Sequence, residues 1–255
     1  EGTNEIGGGT ATLDTAAGTL TLEDVNLGDV YVNIQADGEF TVIVEGTNSI
    51  GSDSDRTAGS AIYSSSTLNL EIAEGAVLSI YSDEGNNIYV GGGNLNISGP
   101  GKIVADTTGY PCFVANKDLT LSSGLTADLM SDWHGIYTEN GDITINSANL
   151  TIAAGGVGIF ARSVNITADG DAAVFCGTGG IIVDDTVLST ECYKGDASDD
   201  YSYASYSLYS EGNITISGDN TVINADDGVG ISADEVLKIE GGTVNVDSSN
   251  GALFG

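Results

Sequence analysis

The chain has 255 residues, with 37 Asp and Glu against 6 Lys and Arg, for a formal charge of −31. That balance excludes nucleic acid as a partner, because a phosphate polymer would be repelled and no basic patch exists; acidic polysaccharides are disfavoured too unless a cation bridges them. With 37 Gly, 2 Pro and few helix formers, and no run of about 18 apolar residues, the composition suits short strands and tight turns, with neither long helices nor membrane insertion.

Taken in chain order, one pattern recurs. It opens with "GTLTLEDVNL" (18–27), and a first full copy follows as "VNIQADGEFTV" (32–42). Next come "AIYSSSTLNL" (61–70), "NIYVGGGNLNI" (87–97), "CFVANKDLTL" (112–121) and "GIYTENGDITI" (135–145). The series continues with "GIFARSVNI" (158–166), "GIIVDDTVLS" (180–189), "SLYSEGNITI" (207–216) and "GISADEVLKI" (230–239). Each copy is a small residue, an aliphatic residue, often an aromatic, a polar turn and an apolar-polar-apolar triplet. The triplets open at Phe40, Leu68, Leu95, Leu119, Ile143, Val164, Val187, Ile214 and Leu237, which places them 21 to 28 residues apart. A third short strand usually follows, as in "NLTI" (149–152), "NTVI" (220–223) and "TVNV" (243–246).

One such repeat cannot bury its apolar face alone, but a stack can. The expected fold is all-β: a right-handed parallel β-helix of three short strands per coil, occupying residues 1–255 as one domain. Counting from near Ala11 predicts about ten coils, roughly 48 Å of stack at about 4.8 Å each. No polar cap follows "GALFG" (251–255), so the domain is expected to belong to a longer protein with further domains.

Strand alternation then sorts side chains into columns. Ile34, Ile62, Ile88, Phe113, Ile136, Ile159, Ile181, Leu208, Ile231 and Leu253 are expected to point inward. Thr41, Asn69, Asn96, Thr120, Thr144, Asn165, Thr215 and Lys238 are expected outside, with Leu188 an exception. The residues after the inward aliphatics form a second outward column: Tyr63, Tyr89, Val114, Tyr137, Phe160, Ile182, Tyr209, Ser232 and Phe254. Six of these nine are aromatic in a chain only 7% aromatic. Tyr110 and Trp133 align at the preceding corner and can widen the stripe. Stacked rings offer a platform to the apolar C–H faces of sugars, and also simply stabilise a sheet through same-face neighbours. The expected ligand-contacting residues are Tyr63, Tyr89, Tyr110, Trp133, Tyr137, Phe160 and Tyr209. His134 has no partner Ser, Cys or second His and reads as a corner residue.

Two long turns break the period, 46–60 and 192–206. Asp53 and Asp55 in the first, and Asp196, Asp199 and Asp200 in the second, are at spacings that can hold Ca²⁺ in an oxygen cage, although neither loop matches an EF-hand or a glycine-rich calcium repeat and solvated loop acids are the favoured reading. No cofactor is required by the sequence. Cys112, Cys176 and Cys192 lack metal or framework spacing and read as buried thiols, with Cys176–Cys192 the one pairing left open.

The "GIYxxGDLTI"-like copies, together with 18–27 and 39–50, resemble the right-handed β-helix (pectate-lyase-like solenoid) domains of bacterial cell-surface carbohydrate-binding or adhesin-like proteins. That resemblance implies a secreted or wall-attached binder of polysaccharide or host glycans. It implies no particular binding residue, since solenoid motifs encode stacking. Alternatives are a β-helix polysaccharide lyase or hydrolase, for which Arg162, Lys117 and the acids Asp184, Asp185, Asp234 and Glu235 are the available groups, a passive stalk, or an ice-binding Thr face.

Overall fold

The computed structural model describes residues 2–162, 181–192, 206–226, 229–248 and 253–255. They form a parallel β-solenoid, and no helix occurs among the described residues. Three sheets run its length. Sheet A holds the triplets, sheet B the strands that follow them, and sheet C the short Ile-Tyr strands. From Phe40 onward the chain visits A, B and C in turn for about eight coils. One coil shows the logic: Leu119–Ser122 in A, Thr126–Ser131 in B, Ile136–Thr138 in C. Each strand pairs in parallel with its counterparts one coil before and after, as Leu119 does with Leu95 and Ile143.

The core is the sum of the inward columns. Leu68, Leu95, Leu119, Ile143, Ile181 and Ile214 are fully buried along sheet A, each contributing roughly 1.5–3 kcal/mol of apolar burial. On its outer side the Thr/Asn ladder stands as expected, half-exposed, and Asn96 Nδ2 donates to Asn69 Oδ1 at 2.8 Å. The corner from A to B is turned by a left-handed residue in coil after coil: Gly46, Gly99, Ser123, Ser147, Asp185 and Gly218 all have positive φ. Gly is abundant partly because this corner needs a conformation that a Cβ resists.

Three expectations are corrected. First, the region from Ala11 is not a run of coils. The strands β1 (Gly2–Ile6), β2 (Gly9–Asp14) and β3 (Thr19–Glu23) form an antiparallel meander, and only β3 pairs in parallel with Phe40–Glu45. The mostly polar, exposed β1 is the outermost strand of sheet A, pairing only with β2, and blunts that edge, while β2 lies between it and β3, with Ala11 opposite the buried Leu22. Second, 180–189 is not a sheet C copy. Ile181–Asp184 lies in sheet A beside Ile143 and Ile214, and Val187–Cys192 lies in sheet B. Ile182 therefore belongs to the Thr ladder, between Thr144 and Thr215, and Leu188 is a buried core residue of sheet B. Sheet C passes directly from Ile159–Ala161 to Leu208–Ser210. These two errors account for the surplus in the ten-coil count. Third, Val32, and not Ile34, stands opposite Ile62, although Ile34 is also buried, two residues further along the strand. The expected triplet at 164–166 lies outside the described residues.

Candidate functional site

Two exposed rings, Tyr110 and Trp133, lie on adjacent coils at the corner between sheets B and C; Tyr31 and Phe254, near the two ends of sheet C, are more exposed still. Ser131 ends its sheet B strand at an inward position, where a hydroxyl replaces the usual aliphatic side chain. Fully buried, it donates from Oγ to the Tyr110 carbonyl at 2.6 Å and accepts from the Trp133 N–H at 2.9 Å. One side chain thus ties the backbones of two adjacent corners and fixes their spacing. The Trp133 carbonyl accepts from Gly156 N at 2.6 Å, in the coil beyond. A Cβ on Gly156 would lie 3.1 Å from Trp133 Cδ1 and 3.0 Å from His134 Nδ1, so the bare glycine admits both rings. Tyr110 and Trp133 remain 42% and 40% exposed, and Met130 beside them is 49% exposed.

His134 is the corner residue expected, but it does more than fill space. It is buried, with its ring centroid 4.9 Å from Trp133, 6.0 Å from Tyr137 and 5.6 Å edge-on from Phe160. Its Nδ1 accepts from Val157 N–H at 3.0 Å, which assigns the neutral proton to Nε2. Burial pushes its pKa from 6.5 down to about 3. Between those values the unfolded chain holds a proton that the folded chain refuses. The contribution of His134 to stability is therefore complete above pH 6.5 and falls as pH drops toward 3, by at most about 1.4 kcal/mol per pH unit. The difference in unfolding free energy between wild type and His134→Phe should show this slope between pH 6 and pH 4, measured by urea titration (pH values are about half a unit and about one unit inside that window, respectively). Subtracting the variant cancels the titration of the surface carboxylates. A flat difference would contradict the buried neutral imidazole.

The outward column of sheet C reads Asn33, Tyr63, Tyr89, Val114, Tyr137, Phe160, Tyr209, Ser232 and Phe254 along the observed register. It is not one continuous platform. Tyr63 and Tyr89 pair at 5.7 Å, then the buried Val114 interrupts the rings. Tyr137, Phe160 and Tyr209 follow at 5.3 and 5.0 Å, and Tyr206 stacks on Tyr209 at 5.0 Å. Phe160 is only 4% exposed, so it supports its neighbours and offers no face to a ligand. Polar groups border the half-exposed tyrosines. Arg162 donates to Tyr137 Oη at 3.4 Å and pairs with Glu211 at 3.8 Å. Tyr209 donates to Asp234 at 3.0 Å; burial first, then this bond, pushes its phenol above the ordinary range.

The other expected groups are scattered. Asp53 binds Arg56 at 3.1 Å. The same guanidinium forks onto Asp106 with two 2.9 Å bonds and lies 5.7 Å from the Tyr81 ring centroid. This clip holds the first long turn against sheet B. Asp55 is exposed, and its carbonyl accepts from Ser52 N in a local turn. Asp196, Asp199 and Asp200 lie outside the described residues. Among the described residues no three His, Cys, Asp or Glu groups gather as a metal site. Asp184 ends a sheet A strand and Asp185 turns the corner after it, whereas Asp234 and Glu235 follow a sheet C strand, so these two pairs occupy different corners. Cys112 is buried and its Sγ donates to the Met130 carbonyl at 3.2 Å. The Cys176 half of the open pairing lies outside the described residues.

Sequence reasoning missed Ser131 and Gly156. A signal for Ser131 existed: Ser82, Thr107 and Ser131 occupy one column of buried hydroxyls at the end of sheet B, each bonding a corner carbonyl. The chain matches no protein-family model, no curated protein and no solved structure.

Proposed function

We propose that the protein is a non-catalytic, extracellular or cell-wall-attached bacterial binding protein that contacts carbohydrate at the B–C corner. The observation that carries this reading is the fixed, exposed pair Tyr110 and Trp133 on adjacent coils, tied through Ser131. Aromatic rings held on a rigid scaffold offer an apolar surface without an ordering cost on binding. The half-exposed Tyr137 continues that surface onto sheet C, and the carboxylates near the tyrosines accept hydrogen bonds from hydroxyl groups.

The test is a glycan array of neutral and acidic polysaccharides, probed with and without Ca²⁺. Binding to at least one glycan class is expected. Binding that depends on Ca²⁺ would place a cation at one of the acidic turns. Absence of binding in both conditions would remove the reading. Parallel incubation with pectin, followed by absorbance of unsaturated uronates, addresses the lyase alternative; no absorbance gain is expected.

A further inference from the structure

The single Trp and single His of the chain are neighbours in sequence and in ring contact. Trp133 sits at the corner between the sheet B strand that ends at Ser131 and the sheet C strand that begins at Ile136, with its ring 40% exposed. On one side it meets the bare Cα of Gly156. On the other it meets His134, which reaches past it to Tyr137 and Phe160. His134 is itself held by the Val157 N–H one coil further on. The imidazole therefore joins the corner rings to the sheet C rings in one continuous set, Trp133–His134–Tyr137–Phe160–Tyr209.

We infer that His134 is the positioning residue of the corner site: its ring fixes the plane of Trp133, so that Trp133 and Tyr137 are presented to a ligand as one surface. The inference rests on the sugar-binding reading above and adds a residue to it that touches no ligand. Two features of the imidazole separate by substitution. His134→Asn keeps an acceptor for the Val157 N–H and removes the ring. His134→Phe keeps a ring of similar size and removes the acceptor.

Because the chain has one Trp, near-ultraviolet circular dichroism and fluorescence in the indole region report Trp133 alone. His134→Asn should lose most of the indole dichroism and shift its emission to the red. His134→Phe should keep both. Calorimetric titration with gluco-, xylo-, manno- and galacturono-hexaose gives the second readout. For a sugar that binds wild type, His134→Asn should bind about tenfold more weakly, the equivalent of one lost ring contact, and His134→Phe within about twofold. A purely structural His134 would lower thermal stability in both variants while the indole signals and the affinity stayed at wild-type levels. Wild-type dichroism and affinity in His134→Asn would overturn the inference. If wild type binds none of the four sugars while a glycan array is also blank, the binding reading fails and the inference falls with it. Loss of indole dichroism in His134→Asn together with unchanged affinity would separate the two, leaving a binding site elsewhere on the solenoid and overturning the positioning role.

Discussion

Asn87→Asp should destabilise the protein by more than about 3 kcal/mol at neutral pH, because it places a carboxylate in a buried site built for a donor. Asn87 precedes its sheet C strand and is fully buried. Its amide nitrogen faces the carbonyls of Ile80 and Asp106 at 3.1 and 2.9 Å and the Ser82 hydroxyl at 3.0 Å. The Ser82 hydroxyl donates onward to the Gly85 carbonyl, so its lone pairs are what Asn87 meets. Asn87 therefore ties the end of one sheet B strand to the next coil through donors alone. Aspartate has no donor when ionised and would repel both carbonyls. Its folded pKa would rise above the unfolded value of about 3.9. The sign follows: the penalty is largest at high pH and shrinks as pH falls toward about 4, where the acid can take up a proton and donate. Urea denaturation at several pH values checks this, with exposed Asn213→Asp as the control, expected within about 0.5 kcal/mol of wild type. Equal effects at the two positions would show that Asn87 is not the tie described. In a stack where each coil leans on its neighbours, the loss should also appear as early unfolding of the coils around Asn87, in place of one sharp transition.

Much of this architecture was legible because stacking repeats the same demand in every coil. The inward aliphatics and outward Thr/Asn residues are fixed by alternation, and Ile62, Ile88, Phe113 and Ile136 fall into one buried column as expected. Register failed where alternation could not choose. "GIIVDD" fits a sheet C strand as well as a sheet A strand when read alone; only its neighbours Ile143 and Ile214 decide, and those pairings are not written in the segment itself. Likewise the alternation in β2 and β3 is the same whether a strand runs parallel or antiparallel to its neighbour, so the N-terminal meander passed for coils. At the site, residue type was readable and exposure was not. Tyr137 and Phe160 occupy equivalent positions, yet Phe160 is buried and Tyr137 is half-exposed, because the surroundings of each ring differ. Burial of that kind depends on what lies over a strand, and a strand's own pattern carries no record of it.

Trp133→Ala and Tyr110→Ala should each weaken binding by about tenfold to a hundredfold, the 1.4 to 2.7 kcal/mol typical of a well-placed aromatic contact, roughly. Neither should cost more than about 1 kcal/mol of stability, since rings with this much exposure leave little core behind when truncated. The backbone tie through Ser131 uses only the Tyr110 carbonyl and the Trp133 N–H, so it survives both substitutions. Phe160→Ala should do the reverse. It removes a ring that is 4% exposed and should cost about 3–5 kcal/mol of stability, while affecting binding only through disturbance of Tyr137 and Tyr209. Tyr63→Ala serves as a distance control, because Tyr63 lies two coils before Tyr110 and Val114 separates its pair with Tyr89 from Tyr137; its affinity should stay near wild type. Calorimetric titration with a sugar bound by wild type, beside thermal melts of all four variants, gives both quantities. The two classes of ring should then divide cleanly, with affinity following exposure at the corner and stability following burial on the sheet. If Trp133→Ala and Phe160→Ala instead lost stability alike and left affinity unchanged, the rings would be a stabilising stack along the solenoid, and the passive-stalk alternative would gain what the binding reading lost.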